Sequence, residues 1–239
     1  MPSCTLESPF QVSPATPNCG RILERHHHVL LGVSPFNSQF SDPYLEKLVF
    51  WAKRTFDRFD FMLPGAEEVA LLLEATGVDP VVAARKTRRE LGRKFKALRN
   101  ALAYARVTPD EAGILQFSDF RENPLYRSIR DQAEHLFHQD PDFRDTCKRL
   151  SQDAIAARCR GTERESQVPS EAQVLSAVAF IFAEIPFFVD TPSLLNVPQS
   201  LVATHRPWPI TECLFSGRLP LAATPNQGVI VLSPLPGSR

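Results

Sequence analysis

No stretch of this sequence stays apolar for the roughly 18–20 residues that a bilayer-spanning helix needs, so a membrane-embedded role is not expected. The first residues carry Pro, Ser and Cys without a basic flank leading into an apolar segment, which argues against a secretory leader. Cysteine is scarce. Five residues, an odd number at wide spacings, do not make a disulfide framework, and a reduced, cytoplasmic setting is expected. Net charge is also missing: 27 basic residues balance 27 acidic ones.

What is present suits a folded domain, with 43% hydrophobic and 23% charged residues in a 239-residue chain. The charge is unevenly spread. From Arg85 to Arg99 there are eight basic residues and one acid, so the rest of the chain is mildly acidic. One positive patch on an otherwise acidic protein points to a polyanion site. At about 100° per residue, Arg85, Lys86, Arg88, Arg89, Arg93, Lys96 and Arg99 fall within an arc of roughly 160°. Leu91, Phe95, Leu98 and Leu102 gather on the other side and are the expected buried face. A solvated helix normally mixes signs, because like charges one turn apart repel. Only Glu90 interrupts this series, and contact with nucleic-acid phosphates is the expected compensation. Such a stripe positions an RNA without reading its sequence.

Three parts are expected: a mobile leader over 1–24, a catalytic domain over 25–218, and a Pro- and Gly-rich, partly ordered tail over 219–239. The apolar run Val29–Val33 predicts a buried strand. Neighbouring histidines on a strand point to alternate faces, so His26, His27 and His28 do not converge on a metal. Asp42-Pro43 predicts a helix start, with the helix running to about Phe59. Strands are expected at Phe61–Leu63, Ile114–Phe117 and Val229–Leu232. Helices are expected at Glu67–Thr76, at Pro80–Ala105, and two or three times over 124–182, with short strands and turns after Pro186. Strands alternating with helices predict an α/β domain with a mostly parallel sheet.

Ser34 stands in the turn that closes the first strand, where α/β folds place ligands. The turn is not a hydrolase nucleophile elbow, because Gly32 fits the first glycine position but Phe36 fills the second. It is not a phosphate loop either, since the lysine and the glycine spacing are absent. A serine hydrolase would also need a histidine and an acid. His135 and His138, one turn apart, are candidates for that or for a metal pair, but no third ligand accompanies them.

The run Gly32-Val33-Ser34-Pro35-Phe36-Asn37-Ser38-Gln39-Phe40-Ser41 resembles the signature of the cyclodipeptide synthase family. Ala183-Glu184-Ile185-Pro186-Phe187-Phe188, continued through Asp190-Thr191-Pro192 to Ala203-Thr204-His205, is similar to that family's second signature. The basic helix lies between the two, where the family carries its tRNA-binding helix.

The resemblance implies a Rossmann-like single domain, helices flanking the sheet, similar to the catalytic domain of class I aminoacyl-tRNA synthetases. It implies two aminoacyl-tRNAs as partners, with neither DNA nor a membrane, and no cofactor, because the ester arrives activated. The implied reaction is ping-pong. Ser34 takes the first aminoacyl group; a second aminoacyl-tRNA offers its amine, giving a dipeptidyl-enzyme; cyclisation releases the diketopiperazine. Glu184 matches the family's glutamate, which holds the amine and takes its proton. The family's tyrosine one turn before that glutamate is Phe180 here, and its later tyrosine is Thr204, followed by His205 as the expected proton relay. Asn37 and Gly32 complete the signature turn. Leu31, Val33, Phe61 and Leu63 are expected as apolar pocket walls, with Tyr126 as a further pocket residue. A catalytically silent tRNA- or RNA-binding homologue is the alternative that the missing tyrosines leave open.

Overall fold

In a computed structural model that describes residues 8–235, five of the 21 prolines sit in the first turn of a helix, where the missing N–H costs nothing. The chain runs β1 (Phe10–Pro14), α1 (Pro17–Leu23), β2 (His28–Gly32), α2 (Asp42–Thr55), β3 (Arg58–Leu63) and α3 (Ala66–Glu74). It continues through α4 (Pro80–Tyr104), β4 (Ala112–Gln116), α5 (Pro124–Gln139), α6 (Pro141–Cys159) and α7 (Glu171–Leu195). It closes with β5 (Ser200–Thr204), α8 (Ile210–Phe215) and β6 (Gln227–Pro234). Side-chain caps fix several starts: Asp79 accepts the Val81 and Val82 N–H groups at 3.0 and 3.1 Å, and Asn123 accepts those of Leu125 and Tyr126.

The six strands form one sheet in the order β1-β6-β5-β2-β3-β4, with all neighbours parallel except β1 against β6. The path leaves β2 toward β3 and β4, then returns to β5 on the other side of β2. Between β2 and β5 the direction of winding reverses, and a doubly wound sheet opens its ligand crevice at the carboxyl ends of such strands. Successive side chains alternate between the two faces. Val29, Leu31, Phe59, Phe61, Leu63, Leu201 and Ala203 pack with α2 and α4 on one face. Leu30, Met62, Val202 and Val229 pack with α5, α6 and α7 on the other.

On that second face the polar core residues meet at the amino-terminal end of the strands. His28 Nε2 donates to Asp60 Oδ2 at 3.1 Å, and its Nδ1 meets the Ser200 hydroxyl at 2.8 Å. The Gly113 N–H donates to Asp60 Oδ1 at 2.6 Å, and a Cβ on Gly113 would lie 2.9 Å from that oxygen. One buried row therefore ties β5, β2, β3 and β4 together. His28, predicted not to share a metal with its neighbours, is spent on this row.

Several expectations are corrected. Residues 10–23 are not a leader: β1 is an edge strand on β6, and α1 buries Cys19 and Ile22 against the sheet. Residues 1–7 of the expected leader and the last four residues of the expected tail lie outside the described residues. The tail contains β6, an internal strand paired on both sides. Its apolar run Val229–Leu232 is the late strand that was expected, extended at both ends. The second helix ends at Thr55, and Ser41 is its cap residue in place of Asp42. The largest revision is α7, which passes Pro186 and ends at Leu195. Burial of Ile185, Phe187, Phe188 and Val189 outweighs the one ladder bond that Pro186 removes. The backbone leaves helical geometry only at Asp190, where the Thr191 N–H is taken by Gln227 Oε1 at 2.7 Å. Among the described residues α7 alone is long and apolar enough to cross a bilayer, but more than half of its apolar window is buried, as in a core helix.

Burial by itself would raise the Asp60 carboxyl, but the hydrogen bond and charge of His28, the Arg58 guanidinium and the Gly113 N–H together hold it below its ordinary value of 3.8. A depressed carboxyl stabilises the fold above that value and loses its contribution as pH falls through the folded pKa. Asp60→Asn is expected to destabilise the protein by about 3 kcal/mol at neutral pH. In urea melts the gap to wild type should narrow as pH falls below the ordinary carboxyl value and through the folded pKa; a gap that stays constant would contradict this account of the row.

Candidate active site

The carboxyl ends of β2 and β5 open into a cavity of about 170 Å³. The turn after β2 places Ser34 on it, and the end of β5 places Thr204 and His205. Its far wall is α7, which contributes Phe180, Ile181, Glu184, Phe187 and Phe188. The Val33 N–H still bonds the Met62 carbonyl, so β2 holds the chain up to the residue before the serine. The Ser34 hydroxyl is partly exposed and has no hydrogen-bond partner among the described residues. Gly32 lines the cavity beside it, and a side chain there would project into the space.

Glu184 is enclosed by the protein and keeps only the surface that faces the cavity. Burial raises its carboxyl to about 7, against a smaller opposing pull from the Arg206 guanidinium. It has no ion-pair or hydrogen-bond partner among the described residues. A half-protonated carboxylate opposite a free serine hydroxyl can accept and return protons near neutral pH.

The Asn37 amide donates to Nε2 of His205 at 3.3 Å, and the Phe40 ring meets its imidazole edge-on at 5.6 Å. Burial and then Arg206 lower its pKa from the ordinary 6.5, so it is neutral at pH 7 with the proton on Nδ1. The Asn37 amide and the Phe40 ring fix the orientation of this imidazole against the Ser34 turn. Thr204 Oγ1 donates weakly to the Ile230 carbonyl at 3.4 Å.

Of the predicted pocket walls, Val33 and Phe180 line the cavity. Leu31, Phe61 and Leu63 do not: strand alternation turns them to the α2–α4 face, and their neighbours Leu30 and Met62 take the wall positions. Tyr126 lies beneath the cavity, fully buried, with its hydroxyl donating to the Ala183 carbonyl at 2.8 Å. It braces the helix one residue before Glu184 and does not replace a missing phenol; burial pushes its pKa to about 12. His135 and His138 are exposed on α5, away from Ser34.

Two arginines went unforeseen. Arg158 of α6 and Arg206 after β5 both line the cavity without an acidic partner within ion-pair distance among the described residues. The Arg158 Nε is buried without a hydrogen-bond partner, and burial lowers the pKa of this guanidinium to about 10. Arg206 follows directly on Thr204-His205, which was a usable cue; nothing in the sequence around Arg158 distinguishes it from other surface arginines of α6.

The basic helix α4 stands beside the turn that carries Ser34. Arg85, Lys86, Arg88, Arg89, Lys96 and Arg99 are exposed and make no ion pair among the described residues. Arg93 is different: it is bonded to Glu90 at 2.8 Å and lies 3.8 Å from Asp42. The buried stripe also differs from the expected one. Phe95 is 38% exposed, and Lys94 takes the inward position between Leu91 and Leu98.

The chain matches the family model described as cyclodipeptide synthase over residues 10–234. It is 39% identical over 223 residues to the cyclo(L-leucyl-L-leucyl) synthase of Bacillus subtilis, covering 93% of this chain and 89% of that protein. The crystal structure of a cyclodipeptide synthase from Bacillus thermoamylovorans superposes with a TM-score of 0.90 at 33% identity, covering 95% of this chain and 97% of the other. A Mycobacterium tuberculosis protein, whose structure is described as relating cyclodipeptide synthetases to type I tRNA synthetases, matches with a TM-score of 0.84 at 29% identity, covering 98% and 97%.

A carboxyl raised in the folded state binds its proton more tightly there, so its ionisation weakens the fold as pH rises from the ordinary 4.5 through about 7. The wild type is expected to lose roughly 2–3 kcal/mol of stability over that range through this group. Glu184→Gln should match it at acid pH and be the more stable protein at pH 8. Parallel stability curves would show that Glu184 is not desolvated.

Proposed function

The chain belongs to the cyclodipeptide synthase family and is an enzyme, and we propose that it forms a cyclic dipeptide from two aminoacyl-tRNAs through an acyl-enzyme on Ser34. One observation carries this reading: a free serine hydroxyl and a carboxyl with a pKa of about 7 open on one cavity at the switch point of the sheet. The six unpaired cations of α4 beside that turn support a tRNA backbone as the polyanion.

In the first step Ser34 Oγ attacks the carbonyl carbon of the aminoacyl ester. The bond to the terminal ribose oxygen breaks, and the serine proton leaves with that oxygen. In the second step the atoms fix the direction of attack. A dipeptide that stays on Ser34 requires the amine of the acyl-enzyme to attack the second ester; an incoming amine, as the resemblance implied, would leave the dipeptide on the second tRNA. Last, the free amine of the dipeptide attacks its own seryl ester, the six-membered ring closes, and Ser34 regains its proton. Glu184 holds the ammonium, takes its proton before each aminolysis and gives it to the departing oxygen.

Phe180 and Thr204 carry no phenol, so Glu184 is left as the proton-handling group of the cavity. Leu30, Met62, Leu72, Phe117 and Leu150 make the walls apolar, and the Bacillus subtilis relative is named for two leucyl groups. Both support apolar aminoacyl groups as substrates. Arg158 and Arg206 disfavour a cationic side chain. A charged-tRNA substrate supports a cytoplasmic setting.

Bacteria expressing the chain are expected to release a new cyclic dipeptide, detected by mass spectrometry of the medium and absent with Ser34→Ala. No product from the soluble wild-type protein would favour a silent RNA-binding homologue, with the missing phenols as its explanation.

A further inference from the structure

We infer that Glu90 and Lys94 are positioning residues for Ser34: they fasten the inner edge of α4 to the turn that carries the nucleophile. The inference rests on the proposed seryl acyl-enzyme. It joins the helix face that would hold the tRNA backbone and the turn that performs acyl transfer into one rigid strut.

Lys94 is one of the eight basic residues from Arg85 to Arg99, yet it is 1% exposed. Its Nζ donates to the Phe40 carbonyl and lies 3.8 Å from Glu90 Oε1. An ammonium inside a protein is unfavourable unless it is paired, and its place on the helix lies between Leu91 and Leu98, where an apolar side chain would pack. What the charge supplies is a fixed donor to one backbone carbonyl of the nucleophile turn. Glu90 works on the other side of the same turn. Its carboxylate lies near the Phe36 N–H, which helps the Arg93 guanidinium hold its pKa below the ordinary value, and Arg93 bonds it at 2.8 and 3.1 Å. Arg93 in turn reaches Asp42, where the turn enters α2.

The turn needs such support. Phe36 has a φ of +60°, in the left-handed region that an aromatic residue rarely adopts. Strained backbone of this kind persists only where its surroundings over-determine it. The same turn carries Asn37 and Phe40, both in contact with His205. Loosening it therefore displaces the nucleophile on one side and the pinned imidazole on the other. A displacement near 1 Å at a reacting atom can slow a step by ~100-fold.

The test is single-turnover acylation of the full-length protein by saturating leucyl-tRNA, followed by rapid quench and intact-protein mass spectrometry. Lys94→Met keeps the length of the side chain, and Glu90→Gln keeps its shape. Both are expected to slow adduct formation ~100-fold while affinity for deacylated tRNA stays within about twofold. A purely structural role would lower the melting temperature and leave acylation by the folded protein at the wild-type rate, and that result would overturn the inference. Should Lys94→Met fail to fold, Glu90→Gln decides alone. If the wild type itself forms no adduct on Ser34, the functional reading falls and this inference with it; if the wild type does and both variants equal it, only this inference falls.

Discussion

The register of the central strands is the constraint on which the rest depends. The buried row of Ser200, His28 and Asp60 fixes β5, β2 and β3 against one another at their amino-terminal ends. A slip of one residue would move every side chain to the opposite, equally packed face and part three polar groups in the core. With that end fixed, Leu30 stands beside Val202 and Gly32 beside Met62. The carboxyl ends of β2 and β5 then finish level with each other. Ser34 and His205, 171 positions apart in the chain, meet at one edge because the other edge is locked.

The second requirement is a carboxyl that stays half-protonated at neutral pH, and α7 meets it. The helix is apolar almost throughout, and burying its aromatic residues contributes far more than the single desolvated carboxyl takes away. Pro186 leaves the helix intact because both sides of the break are packed. The Tyr126 hydroxyl adds a bond to the turn that bears Glu184. A surface helix with the same carboxylate would keep an ordinary pKa and could not exchange protons so evenly.

The parts legible in the sequence were those whose physics is local. The β2 run, the Pro and Asp starts of α4, and the basic stripe depend on neighbours within one or two turns, and they stand close to where they were expected. Ser34 and Glu184 were legible through family motifs, and the cavity brings them together. What failed was set by distant residues. β1 lies in a Pro-rich flank and forms only against β6, whose own apolar run was legible. α7 beyond Pro186 is held by packing that periodicity cannot weigh. Leu31, Phe61 and Leu63 were assigned to the wrong face because strand parity needs one anchored residue to set it. Lys94 drew no reading of its own because the carbonyl it serves lies 54 positions away. Arg158 acquires its place only when α6 folds over the sheet.

The most direct measurement of the central claim is the position of the covalent label. The protein is mixed with tRNA charged with isotopically labelled leucine, quenched in acid, digested and mapped by mass spectrometry. The account predicts a leucyl ester on the peptide containing Ser34, chased away by a second portion of unlabelled leucyl-tRNA as cyclic product appears. Product formation with label on another residue, or with no labelled peptide at any time, would contradict it.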